Sequence, residues 1–336
     1  MRSALITGLA GLTLTAAEQA FLKSTRPAGI ILFARNCASP DQIIKLVAAS
    51  FDAVGTDQLL VLIDQEGGRV RRLRPPLWRD LPAARVYAEL YSRDPEAACM
   101  AARLVARLTA SDLRAIGVNT NCAPVLDVEI MGAHEIIGDR AYGRDPAQVA
   151  ALGRAVAEGY LSGGVIPVIK HIPGHGRALA DSHFELPVVT THRADLETLD
   201  FAPFQALADM PAAMTAHVVY TALDAHAPAS TSVLVTREII RGVCRFGGLL
   251  MSDDLSMKAL TGPMRERASA VIAAGSDVAL HCNGDMDEME LAASGVPALS
   301  GVANARFEHC ITLLNRADAF DMADAEATVT RLVFEA

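Results

Sequence analysis

Three histidines and an aspartate lie close together in KHIPGHGRALADSH, residues 170–183. Imidazole and carboxylate groups at this density indicate either metal binding or proton transfer. His171, His175 and His183 could ligate zinc, but glycines flank His175, so the segment does not place two histidines on one helix face as an HExxH site does. Asp181, two residues before His183, could instead orient its imidazole and stabilise the charged form. The spacing therefore favours acid–base chemistry.

An acid–base histidine needs a nucleophile or a second base nearby, and the ends of several apolar runs supply candidates. Charged residues come directly after three such runs: Asp64 after LLVLI (59–63), Lys170 after VIPVI (165–169) and Asp253 after GLLMS (248–252). Any one of these charged residues alone could simply be a solvent-exposed loop residue. Three together indicate a shared site, in which Asp253 is the best-placed partner for the histidine.

Eight short apolar runs predict the β-strands that carry these residues. They are residues 4–7, 29–33, 59–63, 118–121, 165–169, 212–216, 248–252 and 277–281. Helical patterns separate the strands. Three predicted helices begin at Ser39-Pro40, near Asp94 and at Asp145-Pro146, and a fourth ends at Gly247-Gly248. Eight strand–helix units without a GxGxxG turn predict a single (β/α)8 TIM barrel, with its reacting groups at the C-terminal ends of the strands.

The composition limits the class of protein. The 336-residue chain carries a formal charge of −9, which argues against nucleic acid or an anionic membrane as a general partner. Its six cysteines form no CxxC pair, which is typical of reduced thiols. Residues 3–8 fit a first strand better than an export signal, because Thr15 and Glu18 follow as a capping box. We expect a cytoplasmic protein that forms one domain over residues 1–336, since no linker divides it.

Four motifs together resemble glycoside hydrolase family 3, and above all its short bacterial β-N-acetylglucosaminidases of peptidoglycan recycling (the NagZ type). The motifs are DQEGGRV (64–70), KHIPGHG (170–176), ADSH (180–183) and SDDLSM (252–257). The resemblance implies a (β/α)8 barrel and a retaining mechanism in two steps. It covers most of the chain, from ILFARN (31–36) to the strand near residue 280.

The same resemblance implies roles for the catalytic residues. Asp253 would attack the anomeric carbon, with Asp254 as its rival. His183 would protonate the leaving oxygen and later activate water, and Asp181 would be its partner. Glycines 174 and 176 would let the loop that carries the histidine move.

Substrate binding is implied in the same way. The residues that match the sugar-binding positions of the family are Asp64, Arg72, Arg140, Lys170 and His171. Arg69 and Glu66 are interpreted as an internal ion pair, and Asp127 as structural. His175 is also interpreted as structural, with its side chain satisfied within the loop.

The resemblance implies an exo-β-N-acetylglucosaminidase that removes terminal N-acetylglucosamine from muropeptides containing 1,6-anhydro-N-acetylmuramic acid. We expect no metal, no cofactor and no membrane or nucleic-acid partner, and a monomer or weak oligomer. Three alternatives stay open at this point. They are a phosphorylase that releases the glycosyl group to phosphate, a β-glucosidase, and a catalytically silent muropeptide-binding sensor.

Overall fold

A computed structural model describes residues 1–182, 184–314 and 316–335. Within these residues, eight parallel strands close a barrel in sequence order, with the last strand paired to the first. They are β1 (Ser3–Gly8), β2 (Pro27–Leu32), β3 (Leu60–Ile63), β4 (Thr120–Asn121), β5 (Ile166–Ile172), β6 (Ala212–Thr215), β7 (Leu249–Asp254) and β8 (Val278–His281). Each strand overlaps one predicted apolar run, so the predicted (β/α)8 barrel is confirmed.

Two of the strands that carry predicted site residues extend past the C-terminal ends of their apolar runs, and this matters for the site. β5 continues through Lys170 and His171 to Ile172, and β7 continues through Asp253 and Asp254. These polar side chains therefore stand on strand backbone held by neighbouring strands, which positions them more firmly than a loop would. By contrast, β4 keeps only two residues of its predicted four.

Side chains of the strands alternate between two apolar clusters. One cluster fills the barrel interior, where Ile6, Ile31, Leu62 and Met251 meet. The other lies between the outside of the barrel and the helices, and it takes the intervening residues such as Leu5. This alternation follows from the two-residue period of a strand and explains why the strands read as continuous apolar runs.

Helices surround the barrel. They span Ala16–Thr25, Pro40–Val54, Ala84–Tyr91, Pro95–Ala115, Pro146–Ser162, Ala202–Ala206, Met264–Ala273, Met286–Ser294, Gly301–Leu313 and Met322–Phe334, with a π-helical turn over Val235–Val243. Ser39, Asp94 and Asp145 cap their helices through side-chain oxygens, and Thr15 with Glu18 forms the predicted capping box. Among the described residues, no helix is both long enough and apolar enough to cross a membrane.

One predicted helix end was wrong. The helix that contains Ile239 and Ile240 ends at Val243 and not at Gly247-Gly248. Arg245 adopts a left-handed φ of 55°, which stops helical propagation before the glycines. The Arg241 guanidinium then donates to the carbonyls of Phe246 and Gly248, so the segment after the helix is held by a side chain.

Candidate active site

A cleft of about 270 Å³ opens at the C-terminal ends of the barrel strands. All five predicted sugar-binding residues and the predicted nucleophile line it: Asp64, Arg72, Arg140, Lys170, His171 and Asp253. These residues come from four separate parts of the chain, and the barrel brings them together as the strand ends predict. Ser182 also lines the cleft, whereas Asp181 is not among its lining residues. The predicted acid–base residue His183 lies outside the described residues.

Lys170 joins two carboxylates in the wall of this cleft. Its ammonium lies 2.8 Å from Asp64 Oδ1 and 2.6 Å from Glu66 Oε1, and the side chain is 2% exposed. Arg140 meets the same Glu66 through two hydrogen bonds of 2.8 and 2.9 Å. We call Asp64, Glu66, Arg140 and Lys170 the charged wall.

The charged wall corrects one prediction from the sequence. Glu66 pairs with Arg140 and Lys170, so the predicted Arg69–Glu66 ion pair is wrong. Arg69 lies 2.8 Å from Asp139 and donates to the carbonyls of Glu135 and Ile136. Asp139, the partner of Arg69, and Arg140, the partner of Glu66, both lie on the loop after β4. The sequence does not show that this loop approaches the loop after β3.

Each member of the charged wall keeps its charge. Burial alone would raise the pKa of Asp64, but Lys170 and Arg72 outweigh it and hold that pKa well below its usual range. Burial also opposes the charge on Glu66, but Arg140 and Lys170 lower its pKa to about 2. The pKa of Lys170 is raised in turn, because Asp64 and Glu66 overcome the effect of burial. The wall therefore presents fixed donors and acceptors at neutral pH, which suits the hydroxyl groups of a polar ligand.

Gln65 shapes the turn that carries Asp64 and Arg72. The backbone of Gln65 exchanges two hydrogen bonds of 2.9 Å with the side-chain amide of Asn121. Its own buried side chain accepts from the backbone N–H of Arg72 and Leu73 at 2.9 and 3.0 Å. These contacts place the Arg72 guanidinium 2.8 Å from Asp64.

Asp127 is the fully buried anchor of His171. Its Oδ2 lies 2.6 Å from His171 Nδ1, and its Oδ1 accepts from the backbone N–H of His171 and His175 at 3.2 and 2.6 Å. Burial would raise the pKa of Asp127, but the nearby histidines lower it to about 2. The charged carboxylate fixes a proton on Nδ1 of His171, so Nε2 is left for a ligand. The interpretation of Asp127 as a structural residue agrees with these contacts.

The residues of the loop after β5, 173–184, differ from the prediction in two ways. A Cβ on Gly176 would lie 1.8 Å from the Val128 carbonyl oxygen, and one on Gly174 would lie 3.1 Å from Asp200. These glycines allow close packing, and the interpretation of them as a source of mobility is not supported by their surroundings. His175 contacts Ser182, but its Nδ1 has no partner among the described residues, so that part of the loop does not satisfy the whole side chain as predicted.

The two adjacent aspartates at the end of β7 have different surroundings. Asp254 Oδ1 accepts from the backbone N–H of Ser256 and Cys282 at 3.0 and 3.1 Å, and its Oδ2 accepts from the Ser256 hydroxyl. Its carbonyl oxygen also lies 3.1 Å from His217 Nε2. The Asp253 carboxylate accepts from the next backbone N–H at 2.8 Å, and its side chain lines the cleft. Asp254 is thus committed to holding the strand end, which favours Asp253 for chemistry.

Apolar side chains complete the cleft. They are Ile31, Phe33, Val70, Ile136, Ile137, Met214, Met257 and Leu280. The Arg72 guanidinium stacks over the Phe33 ring at 4.6 Å, so part of this surface also orients a binding residue. The described residues contain no group of three or more histidines, cysteines or carboxylates arranged to hold a metal ion. The arrangement suits one small ligand with many hydroxyl groups and a few apolar edges.

Comparison with known proteins places this cleft in a family. The model of the glycosyl hydrolase family 3 N-terminal domain matches residues 6–316. A β-hexosaminidase of Nitrosomonas eutropha is 38% identical over 309 residues, which are 91% of this chain and 88% of that protein. One of Alkalilimnicola ehrlichii is 42% identical over 283 residues, which are 83% and 80%.

A solved structure agrees with these relatives. NagZ from Neisseria gonorrhoeae in complex with N-trifluoroacetyl-D-glucosamine superposes with a TM-score of 0.88 at 33% identity, covering 99% of this chain and 98% of that one. The family match, the relatives and the shared fold lead to one conclusion. The chain belongs to glycosyl hydrolase family 3 and is a glycoside hydrolase of the β-hexosaminidase type.

Proposed function

We propose that this protein is a retaining exo-β-N-acetylglucosaminidase. Its substrate would be a muropeptide that carries terminal N-acetylglucosamine on 1,6-anhydro-N-acetylmuramic acid, and its place would be cell-wall recycling in the cytoplasm. One observation carries the proposal: Asp253 faces the same small cleft as the charged wall, so a carboxylate nucleophile and a hydroxyl-binding surface share one space. The β-hexosaminidase relatives support the choice of sugar.

Binding would use the groups that the wall already holds in place. Asp64, Lys170 and Arg72 would exchange hydrogen bonds with ring hydroxyls, and Arg140 and His171 would contact the remaining polar atoms. These side chains are fixed by one another before the sugar arrives, so little side-chain entropy is lost on binding. A sugar bound against the charged wall could continue into the rest of the substrate only on the side away from the wall. This agrees with removal of a terminal sugar residue.

The first chemical step would form a bond between Asp253 and the sugar. A carboxylate oxygen of Asp253 attacks the anomeric carbon, and the bond from that carbon to the leaving oxygen breaks. His183 gives its proton to the leaving oxygen, and Asp181 stabilises the imidazolium before transfer. The product is a covalent glycosyl ester and a free aglycone with a hydroxyl group.

The second step would release the sugar. The neutral His183 takes a proton from water, and the hydroxide oxygen attacks the anomeric carbon from the face that the aglycone left. The ester bond to Asp253 breaks and its carboxylate is restored. Two inversions give net retention. A histidine in place of the usual second carboxyl group is the distinctive feature of this proposal, since retaining glycosidases generally pair two carboxyl groups.

The phosphorylase alternative uses the same first step. Phosphate would take the place of water, and a neutral imidazole would repel it less than a carboxylate would. Product analysis separates the two: N-acetylglucosamine in phosphate buffer supports hydrolysis, and N-acetylglucosamine 1-phosphate supports phosphorolysis. We propose hydrolysis without metal or cofactor, by a single-domain protein over residues 1–336 that is a monomer or weak oligomer.

The test of this function is release of 4-nitrophenol from 4-nitrophenyl N-acetyl-β-D-glucosaminide. The matching β-D-glucoside and a chelator-treated sample serve as controls. We expect turnover of the N-acetyl sugar only, unchanged by chelator. Turnover of the glucoside at an equal rate would support the β-glucosidase, loss with chelator would support a metal enzyme, and no turnover with intact sugar binding would support the silent sensor.

A further inference from the structure

His175 and Ser182 form a contact that the proposed catalytic steps do not use. His175 Nε2 lies 3.2 Å from Ser182 Oγ, and both side chains are buried. Both residues also line the active-site cleft. Ser182 stands directly between the two proposed members of the acid–base pair, Asp181 and His183, so anything that fixes Ser182 also limits where they lie.

The His175 end of this contact is held by the barrel. Its backbone N–H donates to Asp127 Oδ1 at 2.6 Å, and its ring packs edge-on against the His171 ring with centroids 5.6 Å apart. On one side, Gly176 packs directly against the Val128 backbone. The backbone of His175 is therefore fixed and its ring has a packed neighbour, so the ring can restrain the Ser182 hydroxyl that it contacts.

His175 is uncharged at neutral pH. Burial, together with the neighbouring His171, lowers the pKa of His175 to about 4, so the ring is neutral at neutral pH. A neutral imidazole can share one hydrogen bond with a hydroxyl group through Nε2 in either tautomer, because a hydroxyl both donates and accepts. The contact between His175 and Ser182 is therefore a hydrogen bond between two neutral groups.

Ser182 is held from its other side by the loop that follows the predicted nucleophile. Its carbonyl oxygen accepts from the backbone N–H of Ala259 at 3.3 Å. The preceding carbonyl, that of Asp181, accepts from Phe184 and Glu185, so the segment forms a turn at this point. Ser182 thus connects the end of β5, through His175, with the chain that leaves β7 and Asp253.

We infer that His175 is a positioning residue, which holds Ser182 and thereby restrains the backbone that connects the proposed acid–base residues, Asp181 before it and His183 after it in the sequence. The inference rests on the proposed function, because it assigns His175 a part in proton transfer to the leaving group. His175 itself touches neither the sugar nor the reacting atoms in this account. The loss of kcat/KM on replacing His175 should therefore be larger for a substrate whose leaving group needs a proton from the acid.

The test compares two aryl N-acetyl-β-D-glucosaminides. The 2,4-dinitrophenyl glycoside leaves without help, whereas the phenyl glycoside needs an acid. Misplacing a catalytic group by about 1 Å costs on the order of 100-fold, so we expect His175→Ala to lower kcat/KM for the phenyl glycoside by about 10- to 100-fold and for the dinitrophenyl glycoside by much less. Ser182→Ala should behave in the same way, and the double variant should lose no more than either single variant. His175→Gln, which keeps a donor at similar reach, should recover part of the loss.

Controls separate positioning from folding. If His175→Ala does not fold, Ser182→Ala still tests the contact, because it removes only one hydroxyl group. His226→Ala is the matched control, since it removes an exposed imidazole outside the cleft. Equal losses on both glycosides, or additive losses in the double variant, would overturn the inference. Unchanged kcat/KM in an active enzyme would also overturn it while leaving the proposed function standing. An inactive wild type on both glycosides would instead contradict the proposed function.

Discussion

The charged wall and the loop after β5 meet at the same cleft, but they hold their functional groups by different means. The wall joins two carboxylates to two cations at 2.6 to 2.9 Å, with Lys170 2% exposed. The loop combines the neutral contact of His175 with Ser182 and an ion pair, of Arg177 with Asp200 at 2.7 Å, and it exposes Leu179 by 71% and Phe184 by 69%. The proposed sugar-binding groups are therefore held by buried ion pairs to one another, whereas the described residues beside the proposed acid lie on a partly exposed loop.

The largest expected effect concerns Asp253, the proposed nucleophile, which lines the same cleft. Asp253→Asn keeps the shape of the side chain and removes the attacking charge. We expect kcat to fall by at least about 10⁴-fold, in the range seen when a nucleophile is removed, while N-acetylglucosamine still binds in calorimetry. Near-normal turnover in this variant would contradict the assignment. Asp254→Asn is the matched variant, and it should mainly lower thermal stability, because Asp254 holds the backbone of Ser256 and Cys282.

Breaking the charged wall should cost the most stability. Lys170→Met leaves Asp64 and Glu66 buried side by side without the cation that joins them. Removing one partner of a buried ion pair costs about 3–5 kcal/mol, and urea unfolding should show a loss of that size. Lys45→Met, on the exposed face of the helix Pro40–Val54, should change the free energy of unfolding little. A similar change in both variants would mean that the wall adds nothing to stability.

The pH dependence of stability should separate the two regions. The pKa of Glu66 is depressed in the folded state, so its contribution is complete above about pH 4.5 and is lost as the pH falls towards 2. The pKa of His175 is also depressed, from 6.5 to about 4, because the folded state keeps the ring neutral. As the pH is lowered, His175 is protonated in the unfolded chain before it is protonated in the folded protein. The free energy of unfolding therefore decreases as the pH falls from 6.5 to 4.

His175→Gln sharpens this comparison. At about 1.4 kcal/mol per pKa unit, the titration of His175 corresponds to a loss on the order of 3 kcal/mol between pH 6.5 and 4. We expect urea unfolding of His175→Gln to show a flatter profile in this window and the same fall as the wild type below pH 4. Parallel profiles for the two proteins would contradict the buried, neutral state of His175.

The smallest effect should come from an ion pair outside the wall. Arg69 and Asp139 are each about 40% exposed, with side-chain exposures of 44% and 39%. Exposed pairs contribute about 0–1 kcal/mol, so Asp139→Asn should barely change the melting temperature. Glu66→Gln is the matched change within the wall, and it should lower the melting temperature clearly. Equal shifts would mean that the buried pair of Glu66 with Arg140 contributes no more to stability than the exposed pair of Arg69 with Asp139.

The sequence predicted the parts of the molecule that follow from local pattern. Every barrel strand is marked by an apolar run, and Asp64, Lys170 and Asp253 are marked by their place directly after one. Asp94 and Asp145 mark helix starts through their capping side chains. These features depend on neighbours in sequence, so they are visible without a structure.

The missed features depend on contacts across the barrel. Glu66 was assigned to Arg69, three residues away, but its partners Arg140 and Lys170 are 74 and 104 residues away. The motif that contains Glu66 was recognised, yet only the geometry shows that Glu66 joins two cations, Arg140 and Lys170, that are proposed to bind the sugar. The role of Gly176 also depends on a distant contact. The sequence shows only that the residue is glycine, and the structure shows that it allows close packing against the Val128 backbone.

The central claim is that Asp253 forms a covalent bond to the sugar. Incubation with a 5-fluoro N-acetylglucosaminyl fluoride, which slows the second step more than the first, should trap the glycosyl ester. Peptide mass analysis should then place the added sugar on Asp253 within SDDLSM (252–257), and the label should be absent from Asp253→Asn. A label on Asp254, or inactivation without any covalent sugar, would contradict the account.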